Sequence, residues 1–240
     1  MSAFHLTTAS VPGREHLRLF RNNQDAVGAR VEGEVAVMVV TDGCGSGASS
    51  EVGARLGARF LTQRLPALAR EHGLGPLLAE RAAAELVEWV AAISAPLEHH
   101  GAALCEWIAD HWLFTLLCAV MDPKHALVFG IGDGLWSADG QRQVLDSGSE
   151  NAPDYVAYRL VPTALEGARG VPVVHFLGES HQLAVATDGL AAQPSALEAL
   201  AADGAIWRNP MALQRRLRVL SERERLLHDD TSVALMKRIP

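Results

Sequence analysis

Six short stretches of the chain are apolar or β-branched almost throughout and are bounded by Gly, Asp or Pro: Val35 to Val40, Trp112 to Met121, Ala126 to Ile131, Val171 to Phe176, Leu183 to Thr187 and Ser232 to Met236. Their length and punctuation predict β-strands. Ser49 to Arg70 and Leu77 to Leu97 are instead rich in Ala, Leu, Glu and Arg at helical spacing, and shorter helices are expected over Ser195 to Ala202 and Pro210 to Leu227. From Phe114 to Asp146 the pattern reads as three or four strands joined by Asp122-Pro123, Asp133-Gly134 and Asp139-Gly140, an antiparallel meander rather than a strand-helix alternation. Ser147 to Tyr158 is a turn-rich loop. No repeat, low-complexity tract or Pro/Gly/Ser linker divides the sequence.

At 240 residues and 49% hydrophobic, the chain can bury the core of one large domain or two small ones. The missing linker favours a single domain over residues 1–240. A formal charge of -7 argues against a nucleic-acid partner, which needs clustered Lys and Arg to neutralise phosphates. Cys44, Cys105 and Cys118 are odd in number and lack C-x-x-C spacing, so neither a disulfide framework nor a structural zinc site is expected. The first twenty residues lack a basic segment followed by an apolar one, and the longest apolar run is too short for a bilayer. A soluble cytoplasmic protein without a membrane partner is the expectation.

The chemistry concentrates at the end of the first strong strand, in VAVMVVTDGCGSGASSE, Val35 to Glu51. Gly43, Gly45 and Ala48 satisfy the G-x-G-x-x-G/A pattern of a dinucleotide-binding turn. Three features oppose that reading: Asp42 puts a carboxylate where a pyrophosphate would approach, no ribose-binding acid ends a second strand, and the later topology looks antiparallel. A metal turn requires further carboxylates at strand ends, and the sequence supplies them in the same form: VVTDG at Asp42, GIGDG at Asp133, VATDG at Asp188 and HDDTSVAL at Asp229-Asp230. A single Asp-Gly after a strand is ordinary turn chemistry. Four such positions converging on one edge would offer the hard oxygen ligands that select Mg or Mn.

In this order the motifs resemble those of the metal-dependent protein phosphatase 2C family. NNQDA is similar to its N-terminal N-E-D motif, VVTDGCGSGASSEVGARL to its D-G-x-G-x-x-x-x-E segment, GIGDG to its G-D-S-R strand, ATDGL to its S/T-D-G motif, and HDDTSVAL to its closing strand. Ser147 to Tyr158 looks like a compact bacterial subgroup whose first motif reads N-Q-D. The resemblance implies a four-layer α/β sandwich, with two antiparallel sheets face to face and helices outside. It also implies a centre of two Mg or Mn ions, joined by a third, weaker one. Asp42 would bridge both metals, the Gly43 carbonyl would bind the second, and Asp188 and Asp229 would hold the first, with Asp230 the alternative to Asp229. Asp133 would serve the third ion, and Asp25 would orient metal-bound water. The implied activity is hydrolysis of phosphoserine or phosphothreonine esters in a protein substrate, opposing a Ser/Thr kinase.

Three departures from the family pattern bear on that reading. Gln24 replaces the metal-binding Glu and offers an oxygen without charge. Cys44 stands where some relatives carry a His proposed as general acid, and an inert thiol is expected there. Phe20 occupies the place of the phosphate-binding Arg, leaving Arg21 or Arg18 to reach in. Gln24 and the missing Arg define the rival reading, a phosphatase-like binding or regulatory module that turns over weakly or not at all. His16 and His99-His100 lack zinc-protease spacing and read as polar surface or satisfied partners. The five Trp residues lack the spacing of a stacking platform and are expected in the core or in subunit contacts.

Overall fold

Val35, Val37 and Val39 of the first strong strand pack into one apolar cluster, and Ala36, Met38 and Val40 into another. Alternate side chains point to opposite faces of a strand, so a strand apolar at every position must be covered on both sides. In the computed structural model, which describes residues 3–148, 152–161, 170–209 and 211–239, the covers are a second sheet on one face and helices on the other.

The elements run β1 (Phe4–Val11), α1 (Arg14–Leu19), β2 (Asp25–Glu32), β3 (Val35–Gly43), α2 (Ser50–His72), α3 (Pro76–Ser94) and α4 (Ala102–His111). They continue through β4 (Phe114–Met121), β5 (Ala126–Ile131), β6 (Gly134–Ala138), β7 (Gln141–Leu145), β8 (Val173–Gly178) and β9 (Gln182–Ala186). The chain closes with α5 (Ser195–Ala202), α6 (Gly204–Arg208), α7 (Ala212–Arg218) and β10 (Thr231–Arg238). One sheet has the order β1-β10-β9-β6-β7 and the other β2-β3-β4-β5-β8, with every pairing antiparallel. This is the expected four-layer sandwich.

The layers follow from the residues facing each other. Between the sheets, Ala36, Met38, Leu117, Ala119 and Val128 meet Trp136, Leu183, Val185, Ala234 and Met236. Outside the second sheet, Val37, Val39, Cys118 and Phe129 pack on Leu61, Leu65, Leu68 and Leu86 of α2 and α3. Outside the first, Ala184, Val233 and Leu235 pack on Leu197, Ile206, Leu213 and Leu217 of α5 to α7. Each fully buried Leu of these layers contributes about 1.5–3 kcal/mol relative to exposure.

Two expectations need correction. Phe114 to Asp146 does form four strands, but not one meander: β4 and β5 belong to the second sheet, β6 and β7 to the first. Asp133-Gly134 is therefore a crossing between sheets, made where Gly132 and Gly134 take φ of +89° and +132°, a region that disfavours a Cβ. The helix expected over Pro210 to Leu227 is shorter: α7 passes into a π-helical turn, Val219–Arg223, and then irregular chain. Pro210 lies outside the described residues, as do Glu150 and its two neighbours within the predicted loop. No described helix is long and apolar enough to cross a membrane.

Candidate metal centre

The sequence-predicted positions collect at one end of the sandwich because each sits where a strand starts or stops. Asp42 lies near the end of β3, and the β2–β3 register sets Asp25, the first residue of β2, directly opposite it. On the other flank Asp42 faces Thr115 of β4. Asp133 occupies the crossing from β5 to β6, Asp188 follows β9, and Asp229 precedes β10. A cavity of about 510 Å³ opens here, lined by Asp42, Gly43, Asp133, Asp188, Asp229, Gln24 and Arg21 together with Glu15, His16, Cys44, Thr115, Tyr155 and His228.

Glycine follows three of these aspartates for two different reasons. Only Gly134 has a left-handed φ. A Cβ on Gly189 would run into the backbone of Asp230, and one on Gly43 would lie 2.8 Å from both the Gln24 carbonyl and the Ser50 hydroxyl. Those two glycines allow the ends of neighbouring segments to touch. They do not make the sharp turns the sequence suggests.

The carboxylates crowd one another. Burial raises the Asp25 and Asp42 carboxyls well above their ordinary value, and neighbouring carboxylates, Asp188 among them in both cases, push the same way. Asp133 is pushed up to about 7 by burial and then by Asp188, and Asp229 is raised by burial with Asp188 and Asp230 adding to it. Like charges held in a desolvated cluster resist ionisation unless a cation joins them. Buried oxygens that find no hydrogen-bond partner among the described residues point the same way: Asp188 Oδ1, Asp25 Oδ1 and Gln24 Oε1. Oxygen donors of this kind fit a hard divalent ion.

Asp229 and Asp230 differ sharply in what they already hold. Asp230, 2% exposed, accepts the Gly13 N–H at 2.7 Å and the Gln24 N–H at 2.6 Å, and its Oδ2 lies 2.7 Å from His16 Nδ1. Its oxygens are committed to fastening α1 and the start of β2. Asp229 faces the cavity, and among the described residues its carboxylate accepts only the neighbouring Asp230 N–H. His16, Asp229 and Asp230 bring donor atoms within 4.8 Å of one another, yet the three bonds on Asp230 make that trio a structural clamp before a metal site. A second clamp joins the sheets directly, with the Thr187 hydroxyl donating to Asp25 Oδ2 at 2.6 Å and accepting the Ser232 N–H at 2.9 Å.

The departures have clear structural settings. Gln24 is buried at 4% exposure and donates its amide to Ser50 Oγ at 2.8 Å, while the Ser50 hydroxyl donates to the Cys44 carbonyl. Phe20 is 98% exposed and caps α1 in the left-handed conformation. Arg21 lines the cavity, its guanidinium donating to the Gly45 carbonyl at 3.2 Å, whereas Arg18 does not line it. The Cys44 thiol is half-buried; burial alone would raise its pKa, but hydrogen bonds from Ser46 and Tyr155 and from the Ser46 and Gly47 amides bring it below the ordinary value. The inert thiol expected from sequence is thus held in a thiolate-favouring setting. His16 is indeed a satisfied partner, and a buried one. The cysteines are free, and the His99 ring lies tilted against Trp107, outside the cavity. Thr115 and Tyr155 carried no sequence signal of their own, since only the fold brings them to this end, whereas His228 opens the HDDTSVAL motif and arrives with its neighbour Asp229.

Comparison with known proteins bears on the same arrangement. A family model described as protein phosphatase 2C matches residues 12–232. A search of curated proteins finds no match. Among solved structures, the chain is similar to the serine/threonine phosphatase Stp1 from Staphylococcus aureus at 14% identity and TM-score 0.63, covering 100% of this chain and 98% of that one. PppA, described as a key regulatory component of the T6SS in Pseudomonas aeruginosa, matches at 17% identity and TM-score 0.60 over 99% of each chain. The catalytic domain of the serine threonine protein phosphatase PstP, solved with two manganese ions, matches at 14% identity and TM-score 0.56 over 99% of each. At these identities the likeness is one of fold.

Proposed function

Since the chain belongs to the protein phosphatase 2C family, we propose that it is a metal-dependent phosphatase acting on phosphoserine or phosphothreonine in a cytoplasmic protein substrate, opposite a Ser/Thr kinase. The observation that carries the reading is the cavity-facing set Asp42, Asp133, Asp188 and Asp229 with buried, unpartnered oxygens on Asp188 and Gln24. Asp42, Asp188, Asp229, the Gly43 carbonyl and Gln24 Oε1 would hold two Mn or Mg ions, and Asp133 a third. Such ions, when bound, neutralise phosphoryl charge and make water a nucleophile at neutral pH.

The chain's own groups would do the rest. Arg21 would bind phosphoryl oxygens from the cavity wall. Asp25, held by Thr187 and set opposite Asp42, would accept a hydrogen bond from the attacking water and fix its direction. Asp230 would keep Asp229 and Gln24 in place through its three bonds. The rival reading, a weakly active binding module, draws on Gln24, whose amide is built into the Ser50 hydrogen bond.

The test is hydrolysis of a phosphothreonine peptide with added Mn or Mg, with chelator, and by the Asp188→Asn variant. Metal-dependent turnover that falls at least a hundredfold in the variant is expected. Turnover by wild type no greater than by Asp188→Asn, with both folded, would transfer support to the binding module.

A further inference from the structure

The strand that starts at the metal centre continues away from it along the edge of the second sheet. β2 is that sheet's outer strand, and among the described residues it pairs with β3 alone. Ala26 to Arg30 form one wall of a groove of about 490 Å³, and the exposed flank of α2 forms the other. Three arginines line it, Arg30, Arg55 and Arg59, with no carboxylate in the lining, although the chain as a whole carries a formal charge of -7. Arg55 donates to the Asn23 carbonyl at 3.1 Å, next to the metal-centre segment. Arg30 is the only one of the three in an ion pair among the described residues, sharing Glu32 with Arg70.

We propose that this groove docks an extended, acidic segment of the phosphoprotein substrate as a strand added to β2; the inference rests on the phosphatase reading given above. Three features argue for this occupant. An open sheet edge supplies backbone donors and acceptors that match an extended peptide. The guanidiniums of Arg55 and Arg59, in no ion pair among the described residues, match carboxylates or a second phosphate, and Arg30 can trade its exposed pairing with Glu32 for the same kind of partner. The groove also begins where Asp25 meets Asp42, so a polypeptide whose phosphorylated residue sits in the cavity has a direct path along β2. Arg30 is five residues beyond Asp25, roughly 17 Å at strand rise. The acidic side chain it meets therefore lies about five positions from the phosphorylated residue, with Arg55 serving a nearer one.

The experiment compares two fluorescein-labelled phosphothreonine peptides, one with Glu at several positions on both flanks and one with Ala there. Binding by fluorescence anisotropy in chelator is measured for wild type and for the Arg30→Ala/Arg59→Ala double variant, alongside metal-dependent hydrolysis of p-nitrophenyl phosphate. Wild type is expected to bind the Glu peptide at least fivefold more tightly than the Ala peptide. The double variant should lose that preference while hydrolysing the small ester as wild type does. Equal binding of the two peptides by wild type, or a preference that survives in the double variant, would overturn the proposal. So would concentration-dependent dimerisation abolished by the same substitutions, since the edge would then serve a second copy of the chain. Absence of small-ester hydrolysis would count against the phosphatase reading, while the anisotropy comparison would still decide the groove.

Discussion

At the scale of single residues, Gln24 shows how a departure from a family pattern is absorbed. Its amide N–H needs an acceptor, and Ser50 Oγ can serve because the hydroxyl proton is spent on the Cys44 carbonyl. A Glu at this position would place a carboxylate against the lone-pair side of that oxygen, so Gln24→Glu has opposing effects. It should tighten Mn binding by about tenfold, or ~1.4 kcal/mol, through the added charge. It should also destabilise the chelated protein by about 1–3 kcal/mol, the cost of a buried carboxylate without its donor. Titration calorimetry with Mn and urea unfolding in chelator check the two halves separately; unchanged Mn affinity would remove Gln24 from the proposed ligand set.

At the scale of elements, α2 is held against its neighbours by residues that are not there. Gly53 lets the helix approach the His111 carbonyl at the end of α4, and Gly57 receives the tip of the Phe114 ring. Replacing a mid-helix Gly by Ala ordinarily gains about 1 kcal/mol of helix propensity. At Gly53 the added methyl meets backbone, which cannot rotate away, and overpacking costs about 1–3 kcal/mol. Gly53→Ala is therefore expected to be net destabilising by up to about 2 kcal/mol in urea unfolding, the reverse of its effect in an isolated helix; a stabilised variant would show that α2 has room to slide.

At the scale of the whole molecule, the two sheets meet at a cluster of carboxylates that burial keeps partly protonated. Asp25, Asp42, Asp133 and Asp229 all bind protons more tightly folded than unfolded, from an ordinary value of 3.8 to about 7 for Asp133. The folded state thus holds more protons than the unfolded state within that range, and stability must fall as pH rises through it. In chelator, Tm should decline from about pH 5 to about pH 7, the four carboxyls outweighing the single half-buried His175, whose lowered pKa acts in the opposite sense within this window; the lowered pKa values of Glu32 and Glu85 oppose only at lower pH. Mn should raise Tm, and raise it more at the higher pH, because cations and protons compete for the same oxygens. A Tm in chelator that rises steadily over this window would contradict the raised carboxyls.

Residue pattern alone was enough to show which segments are strands buried on both faces, because Val35 to Val40 and Leu116 to Met121 have no polar position to turn toward water. Through its Asp-Gly motifs it also marked the strand ends whose carboxylates line the cavity. β1 and β2 were not legible, since FHLTTASV and DAVGARVE mix polar, Gly and charged residues and are strands because their neighbours pair with them. Only the tertiary structure decided that the chain changes sheets at Asp133, and that Asp229 faces the cavity while Asp230 turns inward to His16, Gly13 and Gln24. Adjacent aspartates are chemically equal in a sequence; what separates them is which one the packed backbone surrounds with hydrogen-bond donors.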